Sequence, residues 1–163
     1  MTTAEKLVKV LTEKKMTCAT AESCTGGGVG NAITAVPGSS AVFWGGVISY
    51  DNSVKRDVLG VPENVLATVG AVSQECAAAM AKGVRRLLKT DLAVSLTGIA
   101  GPGGENGKPA GTVYVSVRDA HFEIVRDICI YKLCADPDRD TVRRLSAQTA
   151  LEMVLELCAK SEG

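Results

Sequence analysis

The sequence predicts an α/β fold of three layers, an α/β/α sandwich with a mixed sheet, in a single domain spanning residues 1–163. Three observations lead there. Helical and strand periodicities alternate through the first hundred residues, as in chains that wind a parallel sheet. Two later strands lie close enough to form a hairpin, which makes the sheet mixed. A chain of 163 residues fits one domain and buries enough apolar surface to fold without disulfides or a structural metal.

The elements follow in order. Thr2-Thr3-Ala4-Glu5 is a capping box, and Leu7, Val10 and Leu11 continue it at helical spacing. Residues 16–21 form a first strand, and the glycine-rich stretch after it opens a second helix. Val36-Pro37-Gly38-Ser39-Ser40 is a turn; residues 41–50 read as a buried strand in which Gly45-Gly46 marks a bulge. Short helices are expected over 53–59 and 62–68. Ser73 then caps a helix whose Cys76, Ala77, Met80, Ala81, Val84, Leu87 and Leu88 share one core-facing side. Strands over 92–97, 111–117 and 122–131 complete the sheet, the last two as a hairpin. A long helix starts near Asp136-Pro137, where proline suits a first turn, and carries Val142, Leu145, Met153, Val154 and Leu157.

Composition excludes several function classes. Acidic and basic residues balance at 18 each, and no cluster of Lys and Arg alternates with aromatics, so nucleic acid is not the expected partner. The apolar runs are too short for a membrane span and the N-terminus carries charge instead of a signal core, so a cytoplasmic protein with no membrane partner is expected. Cys18, Cys24, Cys76, Cys129, Cys134 and Cys158 never form C-x-x-C and read as reduced thiols, most of them in the interior. The single histidine, His121, falls in a turn between two strands. No metal and no cofactor are expected.

Chemistry points first to Ser23-Cys24-Thr25-Gly26-Gly27-Gly28-Val29-Gly30. In a helix each glycine costs roughly 0.5–1 kcal/mol relative to alanine, so something must offset the cluster. Two readings stand at this point. Free amides of the first turn approach an anion or a developing oxyanion, with Ser23 and Cys24 at the mouth, or the helix packs tightly on the sheet. Two further strand ends are polar: Ser49-Tyr50-Asp51-Asn52 with Lys55 a turn later, and Thr97 followed by a long Gly/Pro loop through Pro109. Ligands of open α/β sheets gather outside the carboxyl ends of strands, so these segments are candidates for one cleft. The loop is a lid, a binding loop or a passive connection. Arg139, Arg143 and Arg144 are either a guanidinium fork for phosphate or a solvated helix start.

These residues resemble the CinA C-terminal domain family, whose enzymatic members are nicotinamide mononucleotide deamidases. The resemblance covers nearly all of the chain. It runs through Ala21-Glu22-Ser23-Cys24-Thr25-Gly26-Gly27, Val36-Pro37-Gly38-Ser39-Ser40, Gly45-Gly46-Val47-Ile48-Ser49-Tyr50 and Lys55. It continues in Leu59-Gly60-Val61, Gly70-Ala71-Val72-Ser73, Thr97-Gly98-Ile99-Ala100-Gly101-Pro102-Gly103-Gly104 and Lys108-Pro109-Ala110-Gly111-Thr112-Val113. One departure is Pro137-Asp138-Arg139, where the family often has Gly-Asp-Arg.

The resemblance implies hydrolysis of a carboxamide to a carboxylate and ammonia, with a small nucleotide as substrate. It places the nucleophile on Ser23, adds Tyr50 and Thr97 to the catalytic site, and sets Arg139 at the substrate. Lys55 is our own addition: an ammonium of lowered pKa serves as base, or it lowers the pKa of Tyr50 so that the phenol relays the proton. Backbone amides from Cys24, Thr25, Gly26 and Gly27 onward are expected at the oxyanion, and Gly101, Gly103 and Gly104 or Arg139 at the phosphate. The rival expectation is a non-catalytic nucleotide-binding or competence-associated module of the same fold. A homo-oligomer, a dimer, is expected. Longer relatives carry an N-terminal domain linked to nucleotide pyrophosphatase activity; this sequence begins within the deamidase-like unit, so that activity is not carried over.

Overall fold

The computed structural model describes residues 1–162. In chain order the elements are α1 (Thr3–Lys14), β1 (Cys18–Glu22), α2 (Gly28–Thr34), a 3-10 turn (Ser39–Ala41), β2 (Phe43–Ile48), α3 (Asn52–Asp57) and α4 (Glu63–Thr68). After them come α5 (Gln74–Leu88), β3 (Leu92–Gly98), β4 (Val113–Arg118), β5 (Glu123–Asp127), α6 (Ile130–Leu133) and α7 (Arg139–Lys160). The five strands lie in the order β2-β1-β3-β4-β5. β1 pairs in parallel with β2 and β3, while β4 runs antiparallel to both β3 and β5. The sheet is therefore mixed, as the alternation and the late hairpin predict.

Strand periodicity divides the interior into two cores. β1 is buried at every position, and successive residues face opposite sides. Cys18 joins a core with Leu7 and Leu11 of α1, Val29 and Ile33 of α2 and Val154 of α7; Ala19 joins the other, with Met80 and Val84 of α5 and Leu59. Helices thus cover both faces. Caps set where the helices begin: Thr2 and Glu5 form the capping box of α1, the Ser73 hydroxyl accepts from the Cys76 amide, and the Asp138 carboxylate from the Thr141 amide.

Four local expectations are corrected. Residues 41–50 are not a buried strand: the segment opens in the 3-10 turn, and β2 is an edge strand whose residues alternate between partial burial and exposure. Covered on one edge only, it leaves Trp44 and Ile48 in solvent. A bulge does occur, since Cys18 pairs with Phe43 but Ala19 with Gly45. Residues 122–131 do not form one strand; β5 ends at Asp127 and Ile130–Leu133 is a helical turn. The final helix begins at Arg139, with Asp138 as cap, so Pro137 lies before its first turn. On α5, Leu87 is exposed and stands apart from the buried face.

Candidate active site

Parallel pairing of β1, β2 and β3 brings their carboxyl ends to one side of the sheet. Ser23 follows β1, Ser49 and Tyr50 follow β2, and Thr97 is the penultimate residue of β3. A cleft of about 810 Å³ opens there, walled by Ser23, Tyr50, Lys55, Thr97, Arg139 and the loop after β3. The position is the one expected for ligands of open α/β sheets.

At its floor is a lysine–serine pair. The Asp51 carboxylate accepts from the Ser53 amide and starts α3, whose first turn delivers Lys55 back beneath the end of β1. Lys55 is the largest fully buried side chain. Its Nζ lies 3.0 Å from Ser23 Oγ, 2.6 Å from the Ser49 carbonyl oxygen and 3.2 Å from the Tyr50 carbonyl oxygen. Desolvation lowers the Lys55 pKa, against the opposing influence of Cys76, Cys24 and Asp51. Ser49 in turn is held by its amide and hydroxyl, both donating to the Glu22 carbonyl at 2.7 and 3.1 Å.

The glycine turn resolves differently from its first reading. The Glu22 carboxylate, buried beneath the turn, accepts from the Thr25 hydroxyl at 2.7 Å and from the Val29 and Gly30 amides at 2.9 and 3.0 Å. The helix N-terminus is therefore neutralised by the protein's own carboxylate, and its amides are not turned to the cleft. Gly26 and Gly27 are needed for their backbone, at φ +60° and +101°. Gly26 donates to the Ser23 carbonyl and Gly28 to that of Thr25. Thr25, Gly26 and Gly27 stand outside the cleft wall; of the expected turn only Ser23 and Cys24 line it. The Cys24 thiol is buried, which pushes its pKa up to about 11.

At the mouth, Arg139 donates to the Tyr50 phenol oxygen at 3.0 Å and to the Gly101 carbonyl at 2.5 Å. Lys55 meets the backbone carbonyl of Tyr50, not its phenol, so the relay in which Lys55 acts on that phenol is set aside in favour of direct contact with Ser23. Gly101, Gly103 and Gly104 line the cleft, and the loop beyond them is ordered by paired backbone bonds between Glu105 and Lys108. The Thr97 hydroxyl donates to the Ala71 carbonyl at 2.9 Å, and Lys108 Nζ donates to the neighbouring Val72 carbonyl. These two bonds pin the loop before α5 across the cleft. Lys108 belongs to the loop expected at the cleft, but residues 69–72 were not expected in the site; the partners are backbone carbonyls, which no side-chain pattern announces. Asn52 also lines it. Arg143 does not reach the cleft. It donates to the Cys24 and Thr25 carbonyls at 3.2 and 3.3 Å, from the far side of the turn, and Arg144 lines a separate groove between α2 and α7. His121 sits in the β4–β5 turn with its amide on Asp119. Among the described residues no three His, Cys, Asp or Glu side chains cluster at metal-binding spacing, and no helix is long and apolar enough to cross a membrane.

Comparison with known proteins agrees with this architecture. The family model described as CinA C-terminal domain matches residues 1–158. The chain is 49% identical to a CinA-like protein of Cyanothece sp., with 91% of this chain and 35% of that protein covered. It is 44% identical to a putative competence-damage inducible protein of Geobacillus sp., covering 98% of this chain and 38% of the relative. The chain thus spans little more than a third of these curated relatives. Among solved structures, a competence/damage inducible protein from Agrobacterium tumefaciens superposes with a TM-score of 0.90 at 38% identity, covering 95% of this chain and 93% of the other. A competence-damaged superfamily protein from Klebsiella pneumoniae gives a TM-score of 0.90 at 30% identity, with coverage of 97% and 96%.

Proposed function

The chain belongs to the CinA C-terminal domain family, and from that premise we propose that it hydrolyses the carboxamide of nicotinamide mononucleotide to nicotinic acid mononucleotide and ammonia, with Ser23 as nucleophile and Lys55 as general base. The observation that carries the chemistry is the buried Lys55 Nζ, 3.0 Å from Ser23 Oγ. A neutral amine has two N–H donors and one lone pair. The Ser49 and Tyr50 carbonyls take the two donors, which leaves the lone pair for the Ser23 proton.

The steps follow. Ser23 Oγ attacks the carboxamide carbon and its proton passes to Lys55. The oxyanion is met by the Cys24 amide, and Lys55 returns the proton to the nitrogen as ammonia leaves. Water then attacks the acyl-enzyme, again giving a proton to Lys55 that is passed to Ser23 Oγ as the acid leaves, and the acid gives its remaining proton to solvent to become the carboxylate. Thr97, whose own proton is engaged by Ala71, presents lone pairs to the amide N–H. Arg139, beside Tyr50 and the glycine loop, holds the non-reacting phosphate. Incubating the protein with nicotinamide mononucleotide and following ammonia together with nicotinic acid mononucleotide tests this. Equimolar appearance of both, absent in Ser23→Ala, is expected; binding of the nucleotide without turnover would favour the non-catalytic module.

A further inference from the structure

We propose that Arg143 is a positioning residue for the reaction, holding the amide of Cys24 at the site of the oxyanion from the side of the turn opposite the substrate. The inference rests on the reading of Ser23 as a nucleophile. Cys24 is the residue after that nucleophile, and of the turn only Ser23 and Cys24 reach the cleft. The Cys24 N–H lies in the Ser23–Cys24 peptide plane, and the Gly26 bond that fixes this plane holds only while the Cys24–Thr25 plane keeps the turn closed.

Both planes are pinned. The Ser23–Cys24 peptide is held from within, because the Ser23 carbonyl accepts from the Gly26 amide at 3.0 Å. In a trans peptide the N–H points opposite the C=O, so this bond turns the Cys24 amide away from the interior of the turn. The Cys24–Thr25 peptide has no such internal tie. Its carbonyl is held by Arg143 Nε at 3.2 Å, and the next carbonyl, of Thr25, by the same guanidinium at 3.3 Å. Glu22 takes the Thr25 hydroxyl from below, so the turn is gripped between a carboxylate of β1 and a guanidinium of α7. The planar fork matters, since one rigid group spans two successive carbonyls as an ammonium does not.

The placement separates Arg143 from Arg139, one helical turn earlier. Arg139 faces the cleft, whereas Arg143 lines the groove between α2 and α7. Solvent reaches that groove without passing the substrate. Nor does Arg143 figure among the charges that set the Lys55 pKa. Loss of Arg143 therefore acts on the turn that carries the Cys24 amide, while the Lys55–Ser23 contact and the Arg139 contacts are made by other side chains.

The experiment compares Arg143→Ala and Arg143→Lys with the wild type in kcat, KM and pH–rate profile on nicotinamide mononucleotide. In parallel it measures the rate at which a fluorophosphonate labels Ser23. In that labelling Ser23 Oγ displaces fluoride from phosphorus, its proton passes to Lys55, and the phosphoryl oxygen occupies the oxyanion position. Arg143→Ala is expected to lower kcat and the labelling rate by about ten- to a hundredfold, with KM within about twofold and the acid limb of the profile unmoved. Arg143→Lys restores part of the loss. Millimolar guanidinium, entering by the groove, restores Arg143→Ala but not Ser23→Ala. Unchanged kcat and labelling overturn the proposal, as does a raised KM with kcat preserved, which places Arg143 at the substrate. A loss matched by a fall in helical signal and not rescued by guanidinium also overturns it, making Arg143 a structural contact. If the wild type ignores the mononucleotide but labels at Ser23, the substrate reading fails while the labelling rates still decide the role of Arg143. A wild type whose Ser23 neither turns over substrate nor takes the label overturns both.

Discussion

Lys55 Nζ and Ser23 Oγ stand 3.0 Å apart although 32 residues separate them in the chain. Neither side chain is in contact with the other by local folding. β1 and β2 must pair in parallel before α3 can carry the lysine under the serine. The pair is thus assembled by the sheet, and its chemistry follows from the burial that assembly imposes.

Burial lowers the Lys55 pKa, and the direction sets a pH dependence. Protonated Lys55 is no base, so kcat/KM is expected to rise with pH through the folded-state pKa and to level off above it, with the midpoint below the ordinary lysine value of about 10.4. Stability changes in the same sense. Between the lowered folded value and the ordinary one, the unfolded chain binds a proton that the folded chain does not, so stability rises with pH across that window and falls as pH drops through the folded pKa. Lys55→Met abolishes turnover and flattens this stability profile in denaturation measured across the window. A profile in the variant that still climbs with the wild-type slope would assign it to other groups.

Ser23, not Cys24, is expected to be the nucleophile. The Cys24 thiol is buried and its pKa is raised to about 11, so it is poorly ionised near neutrality. Ser23→Ala is expected to lose about a thousandfold or more in kcat, while Cys24→Ala, which keeps the backbone amide, retains most of it. Steady-state rates and the site of covalent labelling check this; the opposite ranking reverses the assignment.

Arg139 is expected to distinguish mononucleotide from riboside. Binding energy from a phosphate that does not react positions the amide that does. Arg139→Ala should therefore reduce kcat/KM for nicotinamide mononucleotide by about a hundredfold and that for nicotinamide riboside far less. Equal loss on both substrates would show that the Arg139 bond to Gly101, and not a phosphate contact, is what the variant removes.

Gly83 ties the fold to the site. A Cβ there would come within 1.8 Å of the Leu59 carbonyl oxygen, on backbone that cannot yield as a flexible side chain does. The Lys55 carbonyl accepts from the Val61 amide in the same segment. Gly83→Ala is expected to cost about 2–3 kcal/mol and to depress activity beyond that loss of stability, because the helix bearing Lys55 must shift. Chemical denaturation and turnover measured at a temperature where the variant is folded separate the two effects.

Particular residues show why some of this was legible early. Thr2 and Glu5, Ser73, and the alternation of helix and strand patterns are short-range, so their elements stand in the sequence nearly as they do in the fold. Polar residues at three strand ends were legible for the same reason. Residues 41–50 differ from the buried strand their pattern predicts because a run of apolar residues does not reveal whether a strand is central or at an edge; that depends on whether another strand pairs beyond it. Lys108 and Thr97 hold the Val72 and Ala71 carbonyls, and such partners leave no trace in residue type.

The sequence by itself determined the three-layer class, the capped starts of α1 and α5 and the family, because periodicity, caps and motifs are local and additive. Tertiary structure alone decided that the glycine turn is closed by Glu22 and not opened to a ligand, that Lys55 meets Ser23, and that Arg139 reaches Tyr50 and Gly101 at the cleft while Arg143, one helical turn on, holds the Cys24 and Thr25 carbonyls. Those outcomes turn on which charge is buried beside which partner. A buried carboxylate or ammonium costs too much unless hydrogen-bonded, and only the packed sheet determines what lies within reach to satisfy it.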